Sequence, residues 1–187
     1  MTSPFLSSLP NIITLGRLIL VPIIIVMIAS SRWDEAFLVF VLAGVSDAVD
    51  GFLAKRFDLR TELGSYLDPI ADKALLVSIY VTLAIRDVIP PWIAILVVSR
   101  DVMIVGAVIM SWLLAKPVEI RPLIVSKLNT AAQIAFAAGV LAAKAFDWPL
   151  AAPFRIAIYG VAALTAASLA AYFMQWFAHM TGEGRSP

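Results

Sequence analysis

The sequence contains no cysteine and a single histidine. The lack of cysteine excludes disulfides, thiol catalysis and thiolate-bound metals. Charged residues are also scarce, at 14% of the chain, and the formal net charge is +1. A chain so close to neutral lacks the basic surface that nucleic-acid binding needs, so we expect no nucleic-acid partner. Hydrophobic residues make up 61% of the chain and the mean hydropathy is +0.94, which excludes an ordinary soluble domain.

The apolar residues form long runs, separated by polar loops and prolines, and each run can cross a bilayer as a helix. The sequence therefore predicts an all-α integral membrane protein with six transmembrane helices, over residues 12–29, 36–56, 66–85, 92–115, 123–146 and 153–178. Residues 1–10 are interpreted as a short helix along the membrane interface. We expect one membrane domain over residues 1–180 and a polar tail over residues 181–187.

Charge is concentrated between residues 47 and 73, where four aspartates recur at helical spacings: Asp47, Asp50, Asp68 and Asp72. Spacings of three and four residues put each pair on one face of a helix, so two helices can converge on one site. Carboxylates brought together stay ionised only if cations neutralise them. Oxygen ligands without histidine or cysteine favour Mg²⁺ or Mn²⁺. The alternative, charges on a surface loop, fits poorly because the aspartates are embedded in apolar helices.

Residues 47–72 follow the pattern D-x2-D-G-x2-A-x9-G-x3-D-x3-D. This resembles the signature of the CDP-alcohol phosphotransferases, membrane enzymes of phospholipid synthesis. The pattern departs at Lys55, where the family usually has arginine, and Arg56 follows; either cation can meet a pyrophosphate. In the first predicted span, Asn11, Thr14 and Arg17 resemble the N-x2-T-x2-R pattern of the same family.

The resemblance implies a role for each matched residue. Asp47, Asp50 and Asp68 would be metal ligands, and Asp72 would be the catalytic base that also touches the second of two Mg²⁺ or Mn²⁺ ions. The residues implied to contact the CDP-alcohol are Asn11, Thr14, Arg17, Asp47, Gly51, Ala54, Lys55, Thr61 and Asp68. From the residues alone, helix capping by Asn11 and Thr14 and snorkelling by Arg17 stay open as alternatives.

Three further basic residues are candidates for binding the acceptor: Arg100, Arg121 and Lys127. Arg100 stands beside Asp101 inside the fourth predicted span. The pair is either a structural charge network or a site where Arg100 binds a phosphate of the acceptor. Arg121 and Lys127 flank the fifth span, either as a second anionic site or as ordinary cytoplasmic loop charges.

Residues 89–108 and 125–133 resemble the branch of the family that forms cardiolipin and CMP. The resemblance implies CDP-diacylglycerol as donor and phosphatidylglycerol as acceptor, with glycerol 3-phosphate as the alternative acceptor. A cation-coupled transporter is a more distant alternative, because such proteins also carry aspartate and arginine within the membrane. The chain has no internal repeat of the kind that many transporters show.

Basic residues in the predicted loops are more numerous on the side that carries residues 47–73. Positive loops face the cytoplasm, so we expect the aspartates and both termini there, on the inner membrane if the source is bacterial. The family resemblance also implies a homodimer.

Overall fold

The computed structural model describes residues 4–56, 62–113, 123–150 and 152–181, with side chains throughout except at 4–12, 50, 53–56, 62–67, 69, 108 and 112. These ranges are helical and contain no strand. The helices are α1 (Pro4–Ala29), α2 (Trp33–Arg56), α3 (Glu62–Ile85), α4 (Pro91–Leu113), α5 (Ile124–Ala145) and α6 (Ala152–Thr181). The predicted all-α class is confirmed over the described part of the chain.

Among the residues that the structure describes, three segments are long and apolar enough to cross a membrane, namely Pro91–Ser111, Ile124–Ala145 and Ala152–Thr181, and Ile13–Ala29 is a shorter apolar helix. Large apolar side chains are exposed along the helices, among them Ile19, Leu38 and Ile109. A soluble monomer rarely leaves so much apolar surface open, and the chain is an integral membrane protein. In α2 and α3 the charged motif occupies one end, which shortens the apolar part, so six complete spans stay a prediction.

The N-terminal segment differs from its prediction. A separate interfacial helix was expected over residues 1–10, but from Pro4 onward these residues continue directly into the first apolar run as one helix, α1. The apolar residues Phe5, Leu6 and Leu9 extend the hydrophobic run, and no glycine separates them from it. Pro10 stands at the boundary between the two segments, yet α1 runs through it, as membrane helices tolerate proline.

Three helices end in the same way, with one non-glycine residue in the left-handed region: Ser31 after α1, Asp87 after α3 and Asp147 after α5, at φ of 58°, 54° and 52°. After α1, Ser31 N–H donates to the Ile28 carbonyl and the next amide donates to the Met27 carbonyl. These are the two bonds of a Schellman motif, which satisfies carbonyls left over at a helix end. The connection from α1 to α2 is consequently only a few residues long.

Contacts divide the chain into two compact units, Met1–Ile89 with Ala137–Leu150, and Pro90–Phe136 with Ala151–Pro187. We call these unit 1 and unit 2. In unit 1, α1 packs against α2 and α3 around fully buried residues such as Ile24, Ala43 and Ile79. In unit 2, α4 packs against α6. The predicted single domain over residues 1–180 stays a prediction.

Candidate active site

Arg17 is the centre of a charged cluster in unit 1. It is only 2% exposed, and its Nη1 lies 2.7 Å from Asp47 Oδ1 and 2.5 Å from Asp72 Oδ1. One guanidinium nitrogen therefore joins a carboxylate of α2 to a carboxylate of α3. Both aspartate side chains are half exposed, at 51%, so the acids stay accessible on one side while the arginine lies on the other.

Thr14 holds the third described aspartate. Its Oγ1 donates a hydrogen bond of 2.5 Å to Asp68 Oδ1, and the threonine is completely buried. Thr14 and Arg17 lie three residues apart on α1, and Asp68 and Asp72 lie four apart on α3, so each pair occupies one helix face. The two faces meet because α1 packs along α3. The predicted convergence of carboxylates from α2 and α3 is therefore observed for Asp47, Asp68 and Asp72.

Several predicted site residues cannot be placed in this cluster. Asn11, Asp50, Ala54, Lys55 and Arg56 belong to α1 or α2, but their side chains lie outside the described ones. Thr61 and Arg121 lie outside the described residues altogether. Their roles stay predictions.

The chemistry of the cluster suits a hard divalent cation. Among the side chains that the structure describes, no group of three or more carboxylates or imidazoles is arranged to hold a metal ion. Even so, carboxylate oxygens of Asp47 and Asp72 already share one cationic nitrogen, and Asp72 interacts electrostatically with both Asp47 and Asp68. Oxygen donors gathered around one positive charge are the type of ligand that Mg²⁺ and Mn²⁺ take.

Open space adjoins the cluster at Gly51, one turn after Asp47 on α2. Gly51 is exposed, and a Cβ built at this position meets no heavy atom within 4 Å. Packing inside the protein therefore does not require a glycine here. The absence of a side chain leaves room for a ligand to approach the helix backbone, as the sequence analysis expects for a nucleotide.

Arg100 forms a second buried charged cluster, in unit 2. It is 3% exposed, and its Nη1 donates to Asp101 Oδ1 at 2.6 Å. Its Nη2 donates to Ser126 Oγ at 2.6 Å and to Ser168 Oγ at 2.8 Å, while the ring of Tyr172 lies 5.5 Å from the guanidinium carbon. One arginine of α4 thus joins α5 and α6.

These contacts bear on the predicted acceptor site. Every nitrogen of the Arg100 guanidinium has a partner within the protein, as the structural alternative expects. Lys127, in the first turn of α5, is exposed. Of these two described candidates, Lys127 is therefore the one that can meet a charged ligand without first breaking internal bonds.

A polar network between α5 and α6 was not predicted from the sequence. Thr165 Oγ1 donates to Asn129 Oδ1 at 2.8 Å and accepts from Gln133 Nε2 at 3.2 Å, and all three residues are fully buried. The signal was present, because Ser126, Asn129 and Gln133 recur at helical spacing on one face of an apolar helix. Only the partner residues on α6 identify this face as a helix contact.

Comparison with known proteins gives one family. The protein-family model described as CDP-alcohol phosphatidyltransferase matches residues 7–180. The human protein named cardiolipin synthase (CMP-forming) is 34% identical over 182 residues, which cover 89% of this chain and 60% of that protein. The rat protein of the same name is 32% identical over the same shares.

A relative named for glycerol 3-phosphate is similar over a shorter range. The Bacillus subtilis CDP-diacylglycerol–glycerol-3-phosphate 3-phosphatidyltransferase is 36% identical over 114 residues, which cover 53% of this chain and 59% of that protein. The chain thus spans about 60% of the length of the curated relatives named here.

Proposed function

The chain belongs to the CDP-alcohol phosphatidyltransferase family, and from this we propose that it transfers a phosphatidyl group from CDP-diacylglycerol to phosphatidylglycerol, forming cardiolipin and CMP. The family predicted from residues 47–72 is confirmed, and it is a family of transferases. The observation that carries the proposal is the meeting of Asp47, Asp68 and Asp72 around Arg17 and Thr14.

In the proposed reaction, a hydroxyl oxygen of the acceptor attacks the phosphorus of the phosphatidyl group. The bond from that phosphorus to the oxygen of CMP breaks, and CMP leaves with the electron pair. The hydroxyl proton must go to a base, and we assign this role to Asp72. Its side chain is half exposed, so an acceptor hydroxyl can approach the carboxylate.

Asp47, Asp50, Asp68 and Asp72 are the residues proposed to hold Mg²⁺ or Mn²⁺, as a pair of ions. When bound, such ions neutralise a pyrophosphate and polarise the phosphorus that is attacked. The described residues support this through the chemistry of the donors and their shared cationic partner. Asn11, Thr14, Arg17, Gly51, Ala54, Lys55 and Thr61 are proposed to contact the CDP-alcohol beside Asp47 and Asp68.

The acceptor is proposed from two sources. The human and rat relatives are named for cardiolipin synthesis and match 89% of the chain, whereas two relatives named for glycerol 3-phosphate match 72% and 53%. In addition, Ile124 and Leu128 beside Lys127 are exposed apolar residues, a surrounding that suits a lipid headgroup. Arg121 and Lys127 are the proposed acceptor contacts, and Arg100 would join them by exchanging its serine partners for a phosphate.

Glycerol 3-phosphate is the second candidate acceptor, because the Bacillus subtilis relative carries it in its name. It is small and carries about two negative charges at neutral pH, as phosphate monoesters do. We therefore expect it to need a more basic and more water-exposed pocket than phosphatidylglycerol.

The test measures CMP release by purified protein in detergent, with CDP-diacylglycerol and Mg²⁺ or Mn²⁺. Each acceptor is supplied separately, and a parallel reaction contains EDTA. We expect CMP and cardiolipin with phosphatidylglycerol, and no product in EDTA. Product with glycerol 3-phosphate alone would replace the proposed acceptor, full activity in EDTA would remove the metal, and no CMP under any condition would overturn the proposed transfer reaction.

We also propose that the aspartate cluster faces the cytoplasm. The support is the excess of loop arginine and lysine on the side of residues 47–73 and the water-soluble cytidine nucleotide of the donor. This orientation can be tested by introducing a cysteine at Arg60 or at Arg86 and labelling it in sealed inner-membrane vesicles of known orientation. The chain has no native cysteine, so each label reports one position.

A further inference from the structure

Arg17 occupies a place in the cluster that a metal ion would be expected to take. It is the cation between Asp47 and Asp72, and one nitrogen contacts both carboxylates at 2.7 and 2.5 Å. The proposed function assigns both carboxylates to metal ligation. Two roles are thus assigned to the same carboxylates.

The electrostatics explain why a cation is needed there without metal. Asp47 and Asp72 carry like charges on neighbouring helices, and carboxylates so placed repel each other unless a positive charge intervenes. Arginine is protonated at all physiological pH values, so its neutralising charge is permanent. Because Arg17 is 2% exposed, its charge lies behind the acids, on the side away from solvent.

We propose that Arg17 is the resident counter-cation of this site. In the metal-free protein its guanidinium holds Asp47 and Asp72 together, and a divalent ion binds by taking these carboxylate oxygens from it. This inference rests on the proposed function, since it needs the aspartates to be metal ligands. Thr14 does not compete in the same way, because it donates a neutral hydrogen bond to a different carboxylate, Asp68.

Two consequences follow for Arg17. It stabilises the protein without metal, because it removes the repulsion between the acids. It also lowers the affinity for metal, because the ion must displace it. Its release would free the guanidinium for the pyrophosphate of the CDP-alcohol, the contact that the sequence analysis assigns to Arg17.

The experiment compares wild type with Arg17→Gln as purified protein in detergent. Mn²⁺ alone is titrated, and free Mn²⁺ is followed by electron paramagnetic resonance. Thermal unfolding is recorded in EDTA and in saturating Mn²⁺. We expect the variant to bind Mn²⁺ about tenfold more tightly, a coupling of ordinary size for two competing ligands. Its Tm should fall by several degrees in EDTA, and saturating Mn²⁺ should recover most of the loss.

Arg100→Gln is the matched control. Arg100 is equally buried and is also paired with an aspartate, Asp101, but that aspartate is not a proposed ligand. The Arg100→Gln change should lower the Tm by the same amount in EDTA and in Mn²⁺ and leave the Mn²⁺ affinity unchanged. The comparison separates the loss of a buried arginine from the loss of a competitor for metal.

Arg17→Lys keeps the charge without the planar fork, so its Mn²⁺ affinity should lie between those of wild type and Arg17→Gln. It serves as the deciding variant if Arg17→Gln does not fold. If the folded variant binds Mn²⁺ no more tightly than wild type, or loses the same Tm with and without Mn²⁺, the inference about Arg17 is overturned and the proposed metal site is not affected. Wild-type protein that binds no Mn²⁺ would overturn the metal site of the proposed function as well.

Discussion

At the scale of single residues, α1 supplies a specific partner for each of three aspartates. Arg17 pairs with Asp47 and Asp72, and Thr14 donates to Asp68. Buried polar groups in an apolar bundle are costly unless they are paired. Thr14 and Arg17 are paired with the acids, which links the stability of unit 1 to the geometry of its candidate active site.

Asp72→Asn tests the proposed base. Asparagine keeps the shape of the side chain but cannot accept the hydroxyl proton, so CMP release should fall at least about 100-fold, within the range that a general base contributes. Binding of CDP-diacylglycerol should largely persist, because three of the four proposed acidic ligands remain. Radiolabelled CMP release and equilibrium binding of the donor measure the two quantities.

Asp34→Asn is the control for this prediction. Asp34 is an exposed carboxylate in the first turn of α2, so its replacement removes a charge without touching the cluster, and turnover should stay at the wild-type level. A near-normal rate for Asp72→Asn would assign the base to another residue.

At the scale of helices, buried polar side chains join the three helices of unit 2. Arg100 of α4 bonds to Ser126 of α5 and Ser168 of α6, and Trp176 Nε1 donates to Ser111 Oγ at 2.9 Å. Apolar contacts alone permit a helix to slide along its neighbour, whereas each of these bonds exists at one register. The polar residues therefore fix how α4, α5 and α6 align.

Thr165→Val tests whether the polar bonds between α5 and α6 stabilise their alignment. Valine has nearly the same shape, but the change removes the bonds to Asn129 and Gln133 and leaves the Asn129 carbonyl without its donor. We expect a loss of about 1–2 kcal/mol in stability, seen as a lower Tm in detergent.

Thr82→Val provides the comparison within α3. Thr82 is also buried, but its hydroxyl donates to the Ser78 carbonyl one turn back in the same helix, a bond that joins no other element. The cost should stay below about 0.5 kcal/mol. Equal losses for Thr82→Val and Thr165→Val would remove the argument that the network between α5 and α6 fixes the register.

At the scale of the whole molecule, apolar surface remains on the described helices for contact with lipid or with a second copy. A homodimer with one complete site per protomer is predicted from the family resemblance, and each protomer contains the Arg17 cluster within its own unit 1. Native mass measurement in mild detergent should give twice the mass of the 20.2 kDa chain. A species of single-chain mass at all protein concentrations would contradict the prediction.

The membrane class, the helical architecture and the family could all be predicted from the amino-acid sequence. Long apolar runs leave no alternative for backbone hydrogen bonds in lipid except helices or closed barrels, and the run lengths favour helices. The spacing of Asp47, Asp50, Asp68 and Asp72 determined which faces of α2 and α3 carry the acids, because the period of a helix is constant.

Tertiary structure alone decided which groups meet. The periodicity of the sequence does not predict that Arg17 lies between Asp47 and Asp72, or that Arg100 contacts serines from two other helices. Such contacts depend on how the helices rotate and pack against one another. The start of α1 was predicted wrongly for a related reason, since Pro10 marks a local boundary in the sequence that the helix in fact crosses. Local periodicity acts over a few residues, whereas each contact that completes a site joins side chains distant in the chain.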